Sequence, residues 1–312
     1  MEISYSLPLS KGWYRMKKAL FKPFDLNKWM RIGFTAFLAG LVDCNGGNTG
    51  GRYNKGHFDW HEFFRFPETA WEWLNSHPLW FTLIIIGLVL VFLIVTILIW
   101  LSSRGKFMFL DNVATDSSGI SKPWGDYHRQ GNSLFVWRFL YGWLVFMLFA
   151  GFFVFCFNRA SDLFYGDYSN LQLFWNITGM VLFFFGLLIL VSYVSLFLDD
   201  FVVAIMYKHK IGVLQGWKVF LSLFGRHAGT FIVYGLFILI LKIATAIIVI
   251  FAALLTCCIG LVLLVIPYIG AVVLLPVSYT FRALSAEFLA QFGEEYSVFP
   301  KPEEPREEIL IT

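Results

Sequence analysis

LWFTLIIIGLVLVFLIVTILIWL, residues 79–101, holds no charged side chain and no proline. As a helix rising 1.5 Å per residue it would reach about 35 Å, enough to cross a hydrocarbon core about 30 Å thick. Similar apolar runs occupy 134–157, 174–198, 231–251 and 259–281, and a shorter one fills 29–42, where Arg31 can snorkel to extend it. The expectation is an all-α polytopic transmembrane bundle of six helices, arranged as three hairpins.

Composition agrees with that class. The chain is 58% hydrophobic, 20% aromatic and only 14% charged, a balance that lipid solvation accommodates and water does not. A net charge of +3 is too small to argue for a nucleic-acid partner. Its placement says more. Lys11, Arg15, Lys17, Lys18, Lys22 and Lys28 precede the first run, and Arg104, Lys106, Lys122, Arg129, Lys208, Lys210, Lys218 and Arg226 fall in alternate loops. The other side holds Arg52, Lys55, Arg65 and Arg159. The positive-inside rule then puts both termini in the cytoplasm, and the late first run reads as a signal anchor with no cleavable leader.

Residues 1–28 form a basic segment with Trp13, Leu20 and Phe21 spaced for one helical face, suited to the inner leaflet. The membrane domain spans 29–290, interrupted by an outer loop over 43–78. That loop opens with DCNGGNTGG and continues as FDWHEFFRFPETAWEWLNSHP, an aromatic segment for a helix at the outer interface. Residues 291–312 end in PKPEEPREEILIT, a composition that favours a disordered cytoplasmic tail.

A threefold internal repeat is one expectation. FLDN with Asp111, FLDD with Asp199 and Asp200, and SAEFL with Glu287 place carboxylates at equal intervals along the chain, each at a cytoplasmic helix end. The connections before and after also carry Trp124 and Trp217 in amphipathic settings. Carboxylates at helix ends beside Lys and Arg usually tie helices together; as acid or base at the membrane surface they would offer an enzymatic reading.

LFILILKIATAIIVI, residues 236–250, contains one charge, Lys242, about 16 Å from Phe231 along a helix and so near mid-membrane. A central lysine costs roughly 3 kcal/mol on translocon scales. No Asp or Glu falls within a predicted span, so its expected partners are the hydroxyls of Tyr193, Tyr234, Thr245 and Tyr268, or carbonyls freed near Pro267 and Pro276. Lys242 is expected to face the bundle, either lining a polar path or bonded between helices.

Cys44, Cys156, Cys257 and Cys258 all lie near the predicted outer side, where a disulfide could form; as membrane thiols they also read as small apolar residues. His57 and His61 lie four apart with Asp59 and Glu62 nearby, a set able to ligate zinc or iron. It is not HExxH and it adjoins a glycine-rich loop, so water-facing histidines and no metal are expected. No cofactor is expected either.

Several stretches carry a resemblance: FKPFDLNKWMRIGFTAFLAGL, RGKFMFLDNV, GNSLFVWRF, LDDFVVAIMY, TCCIGLVLLVIPYIGAVVLLPV and FLAQFGEEY. Over most of its length the chain resembles an uncharacterised group of bacterial six-helix membrane proteins, of the domain-of-unknown-function type. It is also loosely similar to the membrane domain of some glycerophosphodiesterases, without their soluble barrel. The resemblance implies a bacterial inner-membrane bundle and carries no catalytic residues. With no reactive pair inside the spans, the expected function is a non-enzymatic scaffold or accessory subunit that binds lipids, other membrane proteins or itself. The alternative is a transporter or channel whose path passes Lys242 and the last helix.

Overall fold

The computed structural model describes residues 3–43, 60–166, 169–256, 260, 263–264 and 266–300, and side chains at 60–64, 164–165 and 170 are outside that description. Every regular element among them is helical. In chain order they are α1 (Ser6–Phe21), α2 (Leu26–Gly40), α3 (Trp60–Ser76), α4 (Pro78–Thr115), α5 (Ser121–Asp126), α6 (His128–Tyr165) and α7 (Asn170–Phe197). A π-helical turn, Leu198–Val202, then leads into α8 (Val203–His209), α9 (Val213–Leu255), α10 (Pro267–Val273), α11 (Leu275–Ala290) and a 3-10 turn at Glu294–Tyr296.

Four helices are long and apolar enough to cross a membrane: α4, α6, the run from α7 through α8, and α9. A fifth is obtained if α10 and α11, bent by 63°, are taken as one span. The count therefore stands at four or five by length and composition, against the six expected. α2 has 15 residues, about 22 Å of rise, short of a hydrocarbon core. The expected helix over 259–281 coincides partly with undescribed residues and partly with the break at Leu274, where Pro276 opens the next helix.

The long helices also overrun their apolar stretches. α4 has 38 residues, about 57 Å, because the helix continues without a break through Arg104 and Lys106, where a loop was expected, and on past Asp111 to Thr115. α9 runs for 43 residues through a single non-helical position, His227 (φ −134°, ψ 34°), joining the Trp217 segment to the next span.

The chain divides into two compact units. One comprises 42–100 and 135–194: α3, the first part of α4, most of α6, and α7 up to Val194. Its side chains are mostly exposed Leu, Ile, Val and Phe, the pattern of helices solvated by lipid. Within it α6 and α7 run antiparallel. Tyr141 donates to the Val191 carbonyl at 3.3 Å, and the Phe149 and Phe152 rings meet Phe184 at 6.0 and 5.9 Å. The expected outer aromatic helix is α3, with Phe66, Trp71 and Trp73 exposed.

The other unit comprises 1–41, 101–134 and 195–312. Its core is aromatic: Phe201 lies 5.5 Å from Phe220 and 5.0 Å from Phe231, Tyr234 lies 4.4 Å from Phe288, and Phe231 stacks on Phe292 at 4.9 Å. α1 packs along α11. Gly12 makes this possible, since a methyl group there would stand 3.1 Å from the backbone of Leu284 and Thr280. Here the single-face expectation for α1 is corrected. Leu20 turns into α11 and is buried, whereas Trp13 and Phe21 face outward with Tyr14, Lys17, Lys18 and Lys22. The apolar stripe at Gly12, Met16, Ala19 and Leu20 is covered by protein, and a mixed lysine and aromatic face is left exposed.

Candidate functional site: a buried ionic and phenolic network

The π-helical turn places the two aspartates of FLDD on different helical neighbours. Asp199 takes an ion pair from Lys106 Nζ at 2.7 Å, and its backbone carbonyl accepts a hydrogen bond from Arg282 Nη1. Lys106 is only 5% exposed. Asp200 accepts from the Tyr234 hydroxyl at 2.9 Å and also lies in the fields of Lys242 and Arg282. The turn ties the two adjacent carboxylates to different segments, Asp199 to α4 and α11 and Asp200 to α9, and π-helical turns are frequent at functional positions.

The expectation for Lys242 needs two corrections. It has a nearby acid after all, Asp200, because the helix continues past Leu198, where a span was expected to end. It is also exposed rather than buried. The inward stripe of α9 is Phe231, Tyr234, Gly235 and Ile238. Lys242 continues that stripe by one turn, just beyond the point where packing ends, and helical side chains lean toward the N-terminus. Of the other expected partners, Tyr268 donates to the Met30 carbonyl at 3.2 Å and Thr245 bonds the Leu241 carbonyl of its own helix.

The remaining carboxylates have their own donors. Asp111 accepts from Tyr207 at 2.9 Å and Tyr127 at 3.4 Å, two rings stacked at 4.9 Å. Burial pushes the Tyr127 hydroxyl above its ordinary value, so it keeps its proton and stays a donor at neutral pH. Glu287, 7% exposed, receives Arg15 Nε at 2.7 Å, with Lys11 Nζ at 3.7 Å, and the Arg15 guanidinium lies 3.7 Å over the Phe299 ring. Beside this network Asn112, fully buried, donates to Thr35 at 3.3 Å and accepts from Ser117 at 3.0 Å.

The structure thus gathers Asp111, Asp199, Asp200, Glu287 and Tyr234 within one unit, each tied to a different segment. Sequence reading missed Lys106, Arg282, Tyr127 and Tyr207. By hydropathy Lys106 reads as a flanking charge; the signal that it is buried is the apolar run FMFL that follows it. Cys156 has a free thiol. Cys44, Cys257, Cys258 and the pair His57 and His61 lie outside the residues whose side chains are described, as does the tail from 301. Among the described residues no three His, Cys, Asp or Glu side chains gather as a metal site.

The model of a family of unknown function, DUF7544, matches residues 8–292. No curated protein and no solved structure matches the chain.

Proposed function

Since the chain belongs to the DUF7544 family, whose function is unknown, we propose its role from its own residues. It is a non-enzymatic integral membrane protein of the bacterial inner membrane, a scaffold or accessory subunit that binds anionic lipids and partner proteins. Both termini are cytoplasmic, and the short α2, with Arg31 snorkelling, serves as the first of six passes that pair as three hairpins. The equal spacing of Asp111, Asp199 and Glu287 supports a threefold origin for those hairpins.

One observation carries the reading. α1 is clamped to α11 through Glu287 and Gly12, which leaves Trp13, Tyr14, Lys17, Lys18, Phe21 and Lys22 on an exposed face. Lysines flanked by aromatic rings on a fixed helix suit the anionic inner leaflet. The carboxylates support the absence of catalysis, because each is engaged by a donor from another part of the chain. Delipidated full-length protein in mild detergent should bind phosphatidylglycerol tightly. The variant Lys17→Gln/Lys18→Gln/Lys22→Gln should lose about fivefold in affinity per lysine. Unchanged affinity in a folded triple variant would remove this reading.

A transporter or channel is the second reading, favoured by the proximity of Lys242 to Asp200 at the π-helical turn. Ionisable groups at membrane depth mark ion and substrate paths. On that reading Lys242→Met abolishes ion or solute flux in proteoliposomes; flux equal to wild type, with assembly intact, eliminates it.

A further inference from the structure

The lipid-facing unit contains a groove of about 680 Å³ between α6 and α7. On α6 it is lined at four-residue steps by Met147, Gly151, Phe155 and Arg159, a ridge that winds gradually around the helix. From α7 Gly179 and Phe183 line it. Both glycines face open space: a methyl group added at Gly151 or at Gly179 would meet nothing within 4 Å. From Met147 to Arg159 the groove rises about 18 Å, close to one leaflet of a core about 30 Å thick.

Its ends differ in chemistry. The Met147 end is hydrocarbon. At the other, the contact of Phe152 with Phe183 at 5.3 Å sets the antiparallel register, which brings Arg159 level with Asn176 and Trp175. Tryptophan with arginine and an amide is the combination found where membranes meet water. Among the described residues no ion pair engages Arg159, and Asp162, three positions on, is exposed.

We propose that this groove is a site for one anionic phospholipid, its acyl chain lying along Gly151 and Gly179 and its phosphate held by Arg159. The proposal deepens the lipid-binding reading above on a separate surface. Guanidinium and phosphate form short, charge-assisted and often bidentate bonds, and a zwitterionic headgroup offers the same phosphate with an opposing cation attached. The groove therefore favours the anionic lipid, while its apolar length accepts the chain of either.

Native mass spectrometry of the full chain, delipidated and titrated with phosphatidylglycerol or phosphatidylcholine, tests this. Wild type should bind phosphatidylglycerol in preference. Arg159→Gln should lose about fivefold of that affinity and a smaller share of the phosphatidylcholine affinity, so that the preference narrows, and Arg159→Lys should recover part of the loss. Gly151→Leu fills the groove and should weaken both lipids; Gly179→Leu repeats the test from the opposite wall, with helix content and monodispersity confirming that each variant is folded. Wild-type phosphatidylglycerol affinity in Arg159→Gln overturns the proposal, and so do groove-filling variants that bind both lipids normally. The α1 triple-lysine variant separates the two surfaces. Loss there with none in the groove variants overturns the groove alone, and the converse overturns the α1 reading alone.

Discussion

Lys106→Met is expected to destabilise the protein by about 3 kcal/mol, because it strands a carboxylate whose main ion-pair partner has been removed. Lys106 is almost wholly buried and its Nζ lies 2.7 Å from Asp199. Removing one member of a buried pair commonly costs 3–5 kcal/mol. The lower end applies here, since the Asp199 side chain is 30% exposed and water screens part of the charge left behind. Thermal unfolding in a mild detergent measures the loss. The companion variant Lys106→Met/Asp199→Asn should recover most of it, because no unpaired charge is then buried. A single variant as stable as wild type would show that the pair does not hold α4 to the π-helical turn.

Gly105→Ala should cost about 3 kcal/mol, the upper part of the range for overpacking. Its new methyl group would stand 2.7 Å from Ala39 N, from Leu38 C and from Leu38 Cβ. Two of those atoms are backbone and cannot rotate aside, so α2 and α4 must separate. Separation also stretches the 2.8 Å hydrogen bond from Ser102 Oγ to the Ala39 carbonyl. Close approach of helices at small residues is what glycine supplies in membrane proteins. Gly87→Ala, made where nothing lies within 4 Å, is the control and should change stability by less than about 0.5 kcal/mol. Equal effects of the two substitutions would sink the close-packing account.

Four spans were legible in the sequence because uninterrupted apolar runs have few other uses. Their ends were not legible. Reading by hydropathy stops a helix at the first charges, so Arg104 and Lys106 read as a loop and Asp111 as a helix end; in the structure Arg104 bonds Asn132, Lys106 pairs with Asp199, Asp111 accepts from two tyrosines, and one helix runs on through all three. The same reasoning divided α9 at its polar positions near His227, although only one residue there leaves helical geometry. The last span is continuous in apolar composition, and the 63° bend between α10 and α11 is a backbone event that hydropathy does not register. On α1 the amphipathic pattern was visible, but whether lipid or protein covers the apolar stripe depends on Gly12 meeting Leu284, a contact between residues far apart in sequence. Asp111, Asp199 and Glu287 stood out by spacing, whereas their donors Tyr207, Lys106 and Arg15 follow no shared interval.

The clamp between Arg15 and Glu287 joins two helices whose partner residues lie 272 positions apart in the chain. At 5–20 residues per second, roughly 15 to 50 seconds separate the emergence of the two partners. Throughout that interval nascent α1 has its glycine-containing stripe uncovered, and its arginine has no acid to meet. Biogenesis must therefore shelter α1, against the leaflet or an insertase, until α11 arrives to claim it.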